Sequence, residues 1–195
     1  MEGMIDFDKF RKDYNSMTFK EKAEFNREMI AQYPNQRYAH VENFKNTLER
    51  ISPKPRVMEL GCYDGYLADK CRDQVFSWHG FDIVLPAFTI PTCMKFSLLY
   101  KPFWEVEFNP KDYDAFVCSH TIEHFSDVEL EKVIDKVKGI EYILIEAPIR
   151  PICNNWAEYD GAHVLEMGYE KVKELLSGYQ IIEEMPDLWY CVWKR

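Results

Sequence analysis

The chain has no basic run longer than two residues, no CxxC pair, no internal repeat and no apolar stretch of membrane-spanning length. Each absence excludes something. Tight non-specific binding to nucleic acid draws on clustered Lys and Arg. Here 33 acidic residues outnumber 24 basic ones, for a formal net charge of -9, so a nucleic acid is not the expected partner. A bilayer-crossing helix needs about 20 consecutive apolar residues, so no membrane association is expected. The six cysteines (Cys62, Cys71, Cys93, Cys118, Cys153 and Cys191) are scattered without metal-clip spacing. A chain of this size does not depend on a disulfide framework, and the thiols read as small buried hydrophobes in a reducing compartment. The opening MEGMIDFDKFRKDY is too charged for a signal peptide. The expected location is the cytoplasm.

What is present fits a folded protein. Hydrophobic residues make up 47% and charged ones 29% of 195 residues, a balance that supports one compact unit with a sizeable core. Thirteen Phe, twelve Tyr and five Trp supply large side chains for packing and for pocket walls.

Two patterns divide the chain at about residue 54. Before it, the spacing is helical. Thr18 and Glu21 form a capping box, and Phe19, Ala23, Phe25, Met29, Ile30 and Tyr33 recur on one face until Pro34. A second helix carries Tyr38, Val41, Phe44, Leu48 and Ile51, and Ser52-Pro53-Lys54-Pro55 ends it. After it, short apolar runs alternate with amphipathic ones. Expected strands are Arg56–Leu60, Phe76–Asp82, a weaker run around Met94–Leu99, Asp114–Ser119, Tyr142–Ala147, Gln180–Met185 and Trp189–Trp193, the last two as an antiparallel pair. Helices are expected at Tyr66–Arg72, after a second capping box at Ser126 and Glu129, and at Tyr169–Leu176. This alternation predicts an α/β fold: a Rossmann-like, seven-stranded, mostly parallel sheet with flanking helices. Residues 1–54 would form an N-terminal helical cover and residues 55–195 the ligand-binding domain, in one compact unit.

The most informative segment is Glu59-Leu60-Gly61-Cys62-Tyr63-Asp64-Gly65. It places a carboxylate at a strand end, then two glycines four apart, then a helix. Gly61 permits a sharp turn and close backbone approach. Gly65 opens a helix whose N–H groups and dipole favour polar ligand groups. Asp82 stands 21 residues beyond Gly61, at the end of the next strand, where an acid accepts hydrogen bonds from a ribose diol. A dinucleotide fingerprint would need GxGxxG, but Tyr63 occupies the place of the middle glycine. Glu59 and Asp64 would also repel a pyrophosphate, whereas they suit a ligand bearing an ammonium and a positive sulfur.

On these residues the chain resembles the class I S-adenosylmethionine-dependent methyltransferases. Glu59 to Gly65 matches the family's first motif and Gly80-Phe81-Asp82-Ile83 its second. Tyr113 to His124, ending in Glu123-His124, is similar to the fourth-strand segment of the small-molecule branch, and Gly161-Ala162-His163-Val164 to its later units. The resemblance spans about residues 55–195. It implies S-adenosylmethionine as cofactor, with Glu59, Gly61, Cys62, Tyr63 and Gly65 around its amino-acid moiety. It places Asp82 on the ribose, Ile83 against adenine, and Ser119 and His120 at the pocket floor. Two departures stand out. Pro86 and Pro91 leave little room for a helix before the third strand, and Met94-Lys95-Phe96-Ser97-Leu98 offers no acid or amide for the adenine amino group.

Methyl transfer asks the protein to align the acceptor, exclude water and, where needed, remove a proton. Histidine is the natural base near neutral pH. His163 and His120 are the candidate catalytic residues because both follow strand carboxyl ends, where sites in this fold lie. Each also has a purely structural reading, as a loop cap or packing residue. No metal ligand set is expected. Ser119-His120-Thr121-Ile122 lacks the Asp/Asn-Pro-Pro-aromatic pattern of amino-methylating nucleic-acid enzymes. Only Glu123 stands where protein arginine methylation uses two glutamates. The expected acceptor is thus a small molecule or sugar, methylated on oxygen or nitrogen. The alternatives are a non-catalytic binding module of this fold that serves a protein partner, and a nicotinamide-dependent oxidoreductase.

Overall fold

The structure is a computed structural model that describes residues 41–84, 95–147, 168–185 and 190–195, together with a few positions between 16 and 24. The described strands form one seven-stranded sheet. They are β1 (Arg56–Leu60), β2 (Ser77–Asp82), β3 (Phe96–Tyr100), β4 (Ala115–Ser119), β5 (Tyr142–Glu146), β6 (Gln180–Met185) and β7 (Tyr190–Lys194), in the spatial order β3-β2-β1-β4-β5-β7-β6. Strands β1 to β5 pair in parallel, and β7 runs antiparallel to both β5 and β6. The expected α/β sheet is therefore present, with element ends shifted by one or two residues.

The central strands are buried on both faces, which is why they read as continuous apolar runs rather than as alternation. Met58, Phe116, Ile143 and Ile145 point to one face. There they meet Leu130, Val133, Ile134 and Val137 of α3 (Asp127–Val137), along with Val172 of α4 (Gly168–Leu175). Val57, Trp78, Val117 and Leu144 point to the other. They pack on Phe44 and Leu48 of α1 (Val41–Ile51) and on Leu67 and Ala68 of α2 (Tyr66–Lys70). The result is a helix–sheet–helix sandwich.

Helix starts follow local chemistry. Ser126 Oγ accepts from the Glu129 N–H, and the Glu129 carboxylate accepts from the Ser126 N–H at 3.0 Å. The Thr18–Glu21 capping box is also formed, with Thr18 N–H donating to Glu21 Oε2 at 2.7 Å. From α1, Thr47 receives the Tyr190 hydroxyl at 2.8 Å, so this helix is fixed to β7 as well as to the sheet face. The rest of the expected cover, and the Pro86–Pro91 segment before β3, lie outside the described residues.

Candidate functional site

The strand order reverses between β1 and β4, and open α/β sheets bind ligands at the carboxyl ends of strands beside such a switch. The β1–α2 turn occupies this position. Gly61 has φ +83° and Gly65 φ +84°, both in the left-handed region that glycine adopts without cost. Gly61 and Cys62 both donate their N–H to the Phe81 carbonyl, at 2.8 and 3.3 Å, which fastens the turn to β2. Tyr63 lies at φ +41°, so the tyrosine that replaces a middle glycine has nonetheless adopted a glycine-like backbone.

Asp82, at the end of β2, organises this turn. Its Oδ2 accepts from the Tyr63 N–H at 2.7 Å and its Oδ1 from the Val84 N–H at 2.8 Å. Burial raises its carboxyl above the ordinary range, and the backbone N–H bonds from Val84, Tyr63 and Ile83 oppose that rise. An ionised carboxylate offers about four lone-pair sites, so these three backbone N–H groups leave capacity for a further donor. Ile83 follows, half-buried.

Glu59 is 2% exposed, on the α1–α2 side of β1. Its Oε2 accepts from the fully buried Trp78 indole N–H at 2.7 Å. Desolvation, aided by nearby Asp82 and Asp64 and opposed by the Trp78 bond, raises its pKa to about 8. Burial likewise pushes the Cys62 thiol well up, so it is inert packing beside the turn. Gly80 allows that contact, because a Cβ there would meet Cys62 Cβ at 2.6 Å.

The β4 end closes the crevice from the other side. Thr121 lies directly over Gly61: a Cβ at Gly61 would come 1.7 Å from Thr121 Oγ1. The space freed by the glycine is therefore taken by the protein's own threonine. Ser119 Oγ donates to Glu146 Oε2 at 2.9 Å, and the His120 N–H donates to the Glu146 carbonyl at 2.7 Å. His120 has φ +48°, an uncommon conformation for a non-glycine residue that marks functional turns. Its ring Nδ1 is 3.7 Å from Glu123 Oε1. That is an electrostatic separation rather than a hydrogen bond. Glu123 and Glu146 are 2% and 1% exposed, and His124 is close enough to Asp82 to favour its ionised form.

Glu59, Gly61, Cys62, Tyr63, Gly65 and Asp82 thus come together in one turn, and Ser119 and His120 stand on the adjoining strand end. His163 lies outside the described residues. Trp78, Tyr100, Thr121 and Glu146 were not singled out from the sequence. Tyr100 lies one residue beyond the strand expected around Met94–Leu99, and it is the β2–β3 register that sets it opposite Asp82 at the carboxyl edge.

The sequence matches a known family model, described as a methyltransferase domain, over residues 29–149, more than half of the chain. The chain belongs to the methyltransferase-domain family. The resemblance drawn from Glu59–Gly65 and Gly80–Ile83 is upheld. Among solved structures, the fold is similar to a SAM-dependent methyltransferase from Archaeoglobus fulgidus, at 22% identity and TM-score 0.53, covering 77% of this chain and 76% of that one. It is similar to a candidate O-methyltransferase from Nostoc punctiforme at 14% identity and TM-score 0.57, covering 78% of this chain but only 54% of that one. It also matches the small RNA methyltransferase HEN1 at 15% identity and TM-score 0.59, covering 80% of this chain and 24% of that one. The chain thus spans about half of the Nostoc protein and a quarter of HEN1. No curated protein matches by sequence.

Proposed function

We propose that this methyltransferase-family chain binds S-adenosylmethionine at the β1–α2 turn and methylates a small-molecule or sugar-like acceptor on oxygen or nitrogen. The observation that carries the cofactor reading is the charge of the turn. Glu59, Asp64 and Asp82 surround it, and Glu59 and Asp82 are held in place by the Trp78 indole and by backbone N–H groups. Such a set of acceptors favours an ammonium, a sulfonium and a ribose diol over a diphosphate. The left-handed Gly61 and Gly65 let the chain turn tightly at the strand end beside these carboxylates.

In this reading Asp82 accepts a ribose hydroxyl, and Glu59, which burial keeps largely protonated near neutral pH, lies beneath the amino-acid moiety and gains negative charge as it ionises. Gly61, Cys62, Tyr63 and Gly65 form the backbone edge of the site. Ile83 packs on adenine, and Ser119 and His120 line the floor. When bound, S-adenosylmethionine supplies an electrophilic methyl group. His120, which the left-handed turn after β4 holds at the crevice, takes the acceptor's proton. His163 is a second candidate base from the loop after β5. The part of the expected 1–54 cover that precedes α1 covers the acceptor side, α1 itself being packed on the sheet face. A small neutral or cationic acceptor suits the chain's net charge of -9 better than a polyanion does. Among the described residues, no helix is long and apolar enough to cross a membrane, and the reading places the enzyme in the cytoplasm.

Calorimetry with S-adenosylmethionine, its demethylated product and NAD tests the cofactor. The first two should bind and NAD should not. A panel of small metabolites and short RNAs with methyl-labelled cofactor then tests the acceptor. Label transferred to RNA alone would overturn the small-molecule assignment, and binding without turnover on any acceptor would favour a non-catalytic module.

A further inference from the structure

The β1–α2 turn is held on both sides of a single residue. Asp82 Oδ2 accepts from the Tyr63 N–H at 2.7 Å, and the Tyr100 hydroxyl, at the end of β3, donates to the Tyr63 carbonyl at 2.9 Å. Register places Tyr100 opposite Asp82 on the neighbouring parallel strand, so the two grips come from adjacent strand ends. Between them Tyr63 has φ +41°. A residue with a Cβ resists that region, whereas a glycine does not. The backbone therefore needs an outside restraint here that glycine would make unnecessary.

We propose that Tyr100 is a positioning residue for cofactor binding: with Asp82 it clamps the Tyr63 backbone, through the peptide groups on either side of it, in the left-handed form that shapes the cofactor-facing edge of the turn. The inference rests on the S-adenosylmethionine reading above and deepens it. It gives β3 a task at the site, although β3 lacks the acid or amide expected to meet adenine. It also explains how a turn without a middle glycine keeps a glycine-like path. Tyr100 acts through the backbone of Tyr63 and need not touch the ligand. Burial pushes the Tyr100 phenol upward, with acidic neighbours adding to the rise. The group therefore stays protonated as a donor across the physiological range.

A double-mutant cycle tests this, using calorimetry with S-adenosylmethionine on the wild type, Tyr100→Phe, Tyr63→Gly and the double variant. Loss of one hydrogen bond should weaken binding by about three- to tenfold in Tyr100→Phe. In the Tyr63→Gly background, where glycine adopts the left-handed form unaided, the same change should cost less than about twofold. A merely structural role for Tyr100 would lower affinity equally in both backgrounds, and that result would overturn the proposal. So would unchanged affinity in Tyr100→Phe. Urea unfolding of all four proteins separates loss of fold from loss of the clamp. If the wild type binds neither S-adenosylmethionine nor its product, the cofactor reading fails and takes the positioning role with it. If the wild type binds but the cycle shows no coupling, only the clamp fails.

Discussion

At the ends of β1 and β2, the carboxylate of Asp82 meets backbone N–H groups, whereas at the ends of β4 and β5 the buried Glu146 meets a side-chain hydroxyl and Glu123 faces a histidine ring. The first arrangement ties an acid to the path of the main chain, so charge and turn geometry stand or fall together. The second ties acids to rotatable and titratable groups, so protonation can change without remodelling the backbone. Rigid recognition suits a cofactor that is the same in every turnover. Groups that can exchange a proton suit the side where an acceptor is deprotonated. Thr121 joins the two halves by filling the space over Gly61.

The contrast can be broken by substitution. The largest effect is expected where main chain and packing coincide. Gly61→Ala would force a Cβ into Thr121 and a left-handed alanine at φ +83°. A loss of about 2–4 kcal/mol is expected from overpacking and backbone strain together, read as a lower urea midpoint. Gly61→Ala combined with Thr121→Ser should recover little, because the hydroxyl that the Cβ meets remains.

On the β4 side the fold should tolerate change while turnover does not. His120→Asn keeps a residue type that accepts left-handed backbone, and it removes the proposed base. Turnover with an identified acceptor should fall by about 100-fold or more, with S-adenosylmethionine affinity within about twofold of wild type. Equal turnover would remove His120 as the base and leave His163.

Glu59 sharpens the comparison through pH. Its native carboxyl titrates at about 8 against about 4.3 in an unfolded chain, so the native state holds the extra proton between those values. Stability from this group is fully present below the unfolded value. It declines as pH rises and is lost above about 8. Glu59→Gln keeps an acceptor for Trp78 but does not ionise. The stability of Glu59→Gln relative to wild type should therefore grow with pH at up to about 1.4 kcal/mol per unit and level off above the native value. Binding of a cationic ligand should show the opposite trend in wild type: affinity rises as Glu59 ionises, and Glu59→Gln flattens that rise. A smaller effect is expected at Ser119. Replacing it with Ala removes one hydroxyl from the buried Glu146, which should cost about 1–2 kcal/mol by chemical unfolding.

The parts of this molecule legible in its sequence were those fixed by near neighbours. The run Tyr142-Ile143-Leu144-Ile145-Glu146 announced a strand buried on both faces, and Ser126 with Glu129 announced a helix start, because each signal lies within one element. The spacing from Gly61 to Asp82 carried the site, since parallel pairing of β1 and β2 sets both at one edge. Contacts between elements were not legible. Trp78 on Glu59, Tyr100 on Tyr63 and Thr121 over Gly61 each join residues that sequence separates by 19, 37 and 60 positions. Periodicity tells which face a residue takes but not which partner stands across it. The missing middle glycine is legible in the sequence and argues against a dinucleotide. Its replacement by a clamped tyrosine needed the β2 and β3 ends to be seen side by side.

The central claim is that the Asp82-fastened turn holds a positively charged sulfur nucleoside. Titration of S-adenosylmethionine into wild type and Asp82→Ala tests it most directly. The account predicts saturable binding by the wild type and a loss of about 100-fold in the variant, as both the diol acceptor and the turn's anchor disappear. Equal affinity in the two proteins, with the variant still folded, would contradict it.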